Sequence, residues 1–86
     1  MADPAQEALR QTLLATVASL LNLEDVSGSD NFFELGGHSI IAAQMLRMLE
    51  PELGYRAPLR HVFESEDLDE LAARLSDGLG EAKAVP

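Results

Sequence analysis

A chain of 86 residues with 47% hydrophobic and 24% charged residues is one small domain, too apolar for wholesale disorder. With 6 Lys and Arg against 15 Asp and Glu, a formal net charge of −9, it is unsuited to nucleic acid and to anionic membrane surfaces, and it would meet basic patches on other proteins. There is no cysteine, which excludes disulfides, zinc–thiolate sites and cysteine nucleophiles, so any thiol chemistry would need a thiol brought from outside.

No apolar stretch approaches the roughly 18–20 residues of a bilayer span, and the N-terminal MADPAQEALR is no secretory leader, so cytoplasm is the expected compartment. The first helix is predicted over about residues 4–21. Asp3 reads as its N-cap, Pro4 as its first helical residue and Gln6 as the partner of a capping box, and Leu9, Leu13, Val17, Leu20 and Leu21 repeat at helical spacing. From Asn22 to His38 the periodicity stops, and cap-forming residues surround Gly28, Gly36 and Gly37. Loops beyond about 12–15 residues are usually functional or disordered. Val26, Phe32, Phe33 and Leu35 give this one apolar anchors, which favours function.

A second helix is expected from Ser39 to about Glu50, ended with the help of Pro51. It is apolar nearly all round, and its charges, Arg47 and Glu50, cancel. A small domain cannot bury that whole circumference, so part of the helix should be an exposed apolar contact surface. A short helical turn begins near Pro58 and should carry Leu59, Val62 and Phe63 inward. Ser65 is expected to cap a last helix whose first turns hold Glu66, Asp67, Asp69 and Glu70. Leu68, Leu71, Ala72 and Leu75 form its apolar stripe and Gly78 its stop. The expected fold is therefore an all-α bundle of three main helices and a short one, a single domain over 1–86 with a helical core about 4–77 and a flexible tail about 79–86.

Three kinds of chemistry compete for Ser39 and its surroundings. A hydrolase nucleophile elbow would read G-x-S-x-G, but Gly37-His38-Ser39-Ile40-Ile41 lacks the second glycine, and His38 is a sequential neighbour of the serine rather than a distant base. A calcium loop starting at Asp25 would place Asp30 where glycine is required and Gly36 where glutamate is required. His38 and His61 alone make no metal site. The remaining reading takes Ser39 as a helix N-cap whose hydroxyl is also an attachment point. A helix N-terminus suits a phosphate-bearing serine, and Gly36 and Gly37 clear its approach and let the backbone turn.

The block Asp30-Asn31-Phe32-Phe33-Glu34-Leu35-Gly36-Gly37-His38-Ser39-Ile40 resembles the core motif of peptidyl carrier proteins, the thiolation domains of nonribosomal peptide synthetases. The likeness extends to the helix pattern and to APLRHVFE and LDELAARL. Fatty-acid and polyketide carriers usually have Asp before the serine, so Gly37-His38 points to the peptide-synthetase branch of the acyl carrier protein-like superfamily. Ile40 stands where many members have Leu, and Glu66-Asp67 where Pro-Thr is usual.

The resemblance implies a non-catalytic carrier. Ser39 would receive 4′-phosphopantetheine from coenzyme A through a phosphopantetheinyl transferase, flanked by Gly36, Gly37 and His38. The arm's thiol would then hold an aminoacyl or peptidyl group as a thioester, loaded by an adenylation enzyme and passed to condensation, tailoring or thioesterase enzymes. This accounts for the missing cysteine. Ile40, Ala43 and Arg47 are the nominated partner contacts on the second helix, with core packing the competing explanation for Ile40 and Ala43. Because Glu64, Glu66, Asp67, Asp69 and Glu70 gather the negative charge elsewhere, partner binding should be mainly apolar and weakly salt-dependent. A monomer is expected, and a chain that begins with Met and ends after its last helix favours a stand-alone carrier over an excised module. The alternatives are an acyl or aryl carrier of a hybrid polyketide or siderophore pathway, a small serine hydrolase, and a plain helical interaction module.

Overall fold

The computed structural model describes residues 4–84, with side chains described as far as Gly78. It contains α1 (Pro4–Leu21), α2 (Ser39–Leu53), α3 (Arg60–Glu64) and α4 (Leu68–Ala84), with no strand among the described residues, so the expected all-α bundle is the fold. No helix among them is long and apolar enough to cross a membrane.

α1 buries Leu9, Leu13 and Val17, one per turn, against α2 and α4, with Leu14, Leu20 and Leu21 packed at the margin. The expected cap Asp3 lies outside the described residues. α1 ends at Asn22, which takes a left-handed φ of 57°; its N–H donates to the Ser19 carbonyl at 3.4 Å and the Leu23 N–H to the Ala18 carbonyl at 2.8 Å. Asparagine tolerates that conformation better than most residues, so it closes the helix as a glycine would.

α2 buries one face, Ala42, Met45, Leu46, Leu49 and Leu53, and leaves Ile40 68% and Met48 52% exposed on the other. Pro51 does not end it. An interior proline costs about 3 kcal/mol, and burying a leucine such as Leu53 returns about 1.5–3 kcal/mol, so the last turn survives. The stop is Gly54, with a left-handed φ of 76° and its N–H on the Glu50 carbonyl at 2.7 Å. Its longer course brings Glu52 into α2, which is therefore net negative rather than neutral.

Three further expectations are corrected near the C-terminus. Phe63 does not point inward; it is 52% exposed and stacks on Phe33, ring centroids 5.4 Å apart, while Phe33 meets buried Phe32 edge-on at 5.2 Å. Ser65 does not cap α4, which starts only at Leu68; it is the C-cap residue of α3, and its hydroxyl donates to the His61 carbonyl at 2.6 Å. Asp67 caps α4 instead, its Oδ1 accepting the Glu70 N–H at 2.8 Å. Gly78 is no stop, since α4 continues to Ala84. A Cβ at Gly78 would strike the Tyr55 hydroxyl, which donates to the Leu75 carbonyl at 2.7 Å, so this glycine makes room for a ring from the far side of the α2–α3 connection. Of the expected flexible tail, residues 85–86 lie outside the described residues.

The loop between α1 and α2 is held from both sides. Phe32 is buried, and Val26, Phe33 and Leu35 pack on the core as their apolar character predicts. Its backbone also meets the start of α4: the Leu68 N–H donates to the Asp30 carbonyl at 3.0 Å and the Asp69 N–H to the Gly28 carbonyl at 2.9 Å. Glycine at position 28 leaves room for the Asp69 side chain in that approach, since a Cβ there would displace its carboxylate. Asp69 in turn accepts from Arg10 Nε at 2.6 Å, tying α1 to α4 and raising the guanidinium pKa above its ordinary value.

Candidate functional site

Ser39 lies where this loop enters α2, and the loop's own hydrogen bonds set the entry. The Asn31 carboxamide oxygen accepts the N–H groups of Phe33 at 2.8 Å and Glu34 at 3.0 Å, while its Nδ2 donates to the Glu66 carbonyl at 2.8 Å. The chain then winds through a tight turn, the N–H groups of Leu35, Gly36 and Gly37 reaching the carbonyls of Asn31, Phe33 and Phe32. Gly36 takes a φ of +107°, which L side chains rarely adopt, and a Cβ there would meet nothing within 4 Å. The turn and the open approach both apply to Gly36. Gly37 has a different reason: a Cβ would run into the Phe32 ring, so this residue keeps the turn close to the core.

Ser39 is exposed and is the first residue of α2, not its cap. The cap position belongs to His38, extended at φ −149° and ψ 177°, whose side chain makes no capping hydrogen bond. The first helical bond runs from the Ala42 N–H to the His38 carbonyl at 2.8 Å. The N–H groups of Ser39, Ile40 and Ile41 therefore have no acceptor among the described residues, and neither has the Ser39 hydroxyl a hydrogen bond. An uncapped helix start gathers partial positive charge, and beside it stands a free hydroxyl. That combination fits a serine phosphodiester, whose oxygens would accept from those N–H groups.

No Ser–His pair is assembled: neither His38 nor His61 is hydrogen-bonded to Ser39 among the described residues. His61, partly buried on α3, has an Nδ1 buried without a partner. No group of His, Cys, Asp or Glu suited to a metal occurs among the described residues.

Ile40, Ala43 and Arg47 are all exposed, so core packing does not explain the first two. Together with Ser39 and Gln44 they line a shallow depression of about 360 Å³. Their spacing places them successively along one side of α2. Arg47 has no ion-pair partner among the described residues, whereas Arg56 pairs with Glu50 at 2.9 Å. Within the acidic run beside α4, Arg10 holds Asp69, and Arg74 holds Glu64 at 3.4 Å and Glu70 at 3.0 Å. Met48 and Gln44 belong to the same exposed face of α2 and were missed in the sequence, where nothing separates Met48 from core Met45 except a helical phase fixed only by packing.

The family of the phosphopantetheine attachment site matches residues 11–75 of this chain. Malpinin synthetase of Mortierella alpina is 40% identical over 68 residues, which is 79% of this chain and 1% of that protein. A probable non-canonical nonribosomal peptide synthetase of Salinispora arenicola is 38% identical over 80 residues, 93% of this chain and 1% of its own length. Indigoidine synthase of Streptomyces lavendulae is 46% identical over 55 residues, 64% of this chain and 4% of its own length. The chain thus spans only a small fraction of each of these relatives.

Proposed function

Because the chain belongs to the phosphopantetheine attachment-site family, whose members carry 4′-phosphopantetheine covalently, we propose that it is a peptidyl carrier protein modified at Ser39. The observation that carries this reading is the exposed, unbonded Ser39 hydroxyl at an uncapped helix start. In the modification the Ser39 oxygen forms a bond to the pantetheine phosphate of coenzyme A, adenosine 3′,5′-bisphosphate leaves, and the hydroxyl proton passes to the transferase. The N–H groups of Ser39, Ile40 and Ile41 would hold the phosphate of the attached group, and Gly36 leaves the approach open. When bound, the arm supplies the thiol that this cysteine-free chain lacks, on which an aminoacyl or peptidyl group is held as a thioester.

The chain performs no catalysis of its own in this reading, and acts as a cytoplasmic monomer. Its partners are a phosphopantetheinyl transferase, an adenylation enzyme, and condensation, tailoring or thioesterase enzymes that nonribosomal peptide synthesis requires. They read the exposed side of α2, with Ile40 and Ala43 as apolar contacts and Arg47 as a polar one. The similarity to a probable synthetase of that pathway supports the assignment. Incubation with coenzyme A and a promiscuous phosphopantetheinyl transferase should add one phosphopantetheine to the intact mass, and none to Ser39→Ala. An unchanged mass in the wild type, or an equal gain in Ser39→Ala, would overturn the proposal.

A further inference from the structure

Ser39 is placed without being held. Its hydroxyl makes no hydrogen bond, and the His38 side chain before it makes no capping bond. Two things fix where that hydroxyl stands: the ladder of α2 behind it, which begins at Ala42, and the turn in front of it. The turn closes on three carbonyls. The Leu35 N–H reaches Asn31 at 3.1 Å, the Gly36 N–H reaches Phe33 at 3.1 Å, and the Gly37 N–H reaches Phe32 at 3.0 Å. Residues 31–33 are therefore the base from which Ser39 is presented.

The Asn31 side chain ties that base to the rest of the fold. Its Oδ1 holds the N–H groups of Phe33 and Glu34 on the turn, and its Nδ2 reaches the other way, to the Glu66 carbonyl. Glu66 stands just before α4, whose first-turn Leu68 and Leu71 are fully buried, so the carboxamide leans on a segment the core has already fixed. One short planar group has to accept twice on one side and donate on the other. A carboxamide does this and a carboxylate cannot. Aspartate at position 31 would keep both acceptances and set an oxygen against the Glu66 carbonyl, leaving the turn formed but cut loose from α4.

We propose that Asn31 is a positioning residue for the modification of Ser39, its carboxamide locking the 31–37 turn to the start of α4 so that the hydroxyl meets the transferase in a set place. Asn31 makes no hydrogen bond to Ser39 and acts through the turn. The inference rests on Ser39 being the attachment point. Without the lock the turn samples several entries into α2, and the transferase binds only the fraction that presents Ser39 correctly. The cost falls on association, because a serine already seated is held by the transferase itself.

The test measures steady-state transfer from coenzyme A by a promiscuous phosphopantetheinyl transferase, with the carrier as varied substrate and intact mass as the readout. Asn31→Ala and Asn31→Asp should each raise the KM for the carrier about fivefold, the equivalent of one ordinary hydrogen bond, with kcat within about twofold of wild type. Amide hydrogen exchange at Leu35, Gly36 and Gly37 should quicken by a similar factor in both. Tyr55→Phe is the control. It loses a hydrogen bond to the Leu75 carbonyl beyond the far end of α2, and should leave KM and those amides as they are. Should Asn31→Ala fail to fold, Asn31→Asp, which keeps the turn's acceptor, carries the test. Absence of any mass gain in the wild type overturns the attachment and the positioning role together. With the wild type modified, an unchanged KM in Asn31→Asp, a loss confined to kcat, or a KM raised as much by Tyr55→Phe overturns the positioning role alone.

Discussion

The N-termini of α4 and α2 present one elementary problem, backbone N–H groups with no helical acceptor, and the molecule treats them in opposite ways. At α4 the N–H groups of Leu68 and Asp69 reach the Asp30 and Gly28 carbonyls, that of Glu70 reaches the Asp67 carboxylate, and that of Leu71 begins the helical ladder on the Asp67 carbonyl. At α2 the N–H groups of Ser39, Ile40 and Ile41 have no acceptor among the described residues, and the His38 side chain makes no capping hydrogen bond. The saturated end is a structural joint, since the carbonyls that serve it belong to the very loop that delivers Ser39. The open end is where something from outside can be bound. One helix start is closed so that the other can be presented in a fixed position.

That contrast can be broken by substitution, and the largest effect should come from below the loop. Phe32→Ala removes the buried ring against which Gly37 packs, and should cost about 3–5 kcal/mol in urea unfolding. A loss below about 2 kcal/mol, the floor for large-to-small core changes, would show that the loop is held by its hydrogen bonds to α4 rather than by that ring. Asp67→Ala should cost about 1 kcal/mol, as the loss of a helix cap does, measured in the same way.

The reverse experiment supplies α2 with the cap it lacks. His38→Asp places a carboxylate at an extended cap position facing free N–H groups, and should stabilise the unmodified protein by about 0.5–1 kcal/mol. An unchanged unfolding midpoint would mean that the open end carries no unmet demand. The smallest effect is expected at Ser39 itself. Because its hydroxyl makes no hydrogen bond, Ser39→Ala should move stability by no more than about 0.5 kcal/mol, although it should abolish modification. A loss equal to that of Asp67→Ala would make Ser39 a cap after all.

Most of the fold was legible from local pattern. The stripe Leu9, Leu13 and Val17 needed only helical spacing, and the surplus of apolar residues in α2 was enough to forecast that some would be exposed, Ile40 among them. The position of Ser39 at the start of a helix, after a turn that requires Gly36, was likewise readable. What failed has a common character. Ser65 and Asp67 are equally good caps by composition, and the choice fell to Asp67 because Ser65 ends α3 and α4 starts only at Leu68, directly after Asp67. Gly78 resembles a stop until Tyr55 arrives over it, and Phe63 resembles a core residue until Phe33 offers it a stacking face.

The sequence by itself determined which segments are helical, which residues form the core stripes of α1 and α4, and which serine stands at a helix start. Those properties depend on neighbours within a turn or two, so periodicity and side-chain chemistry settle them. Only the tertiary structure decided which helix start is closed and which stays open, because the closing carbonyls of Gly28 and Asp30 come from far along the chain. It also decided that Ala43 and Arg47 line both the depression beside Ser39 and a groove shared with Ala57 and Leu59, which packing alone brings there.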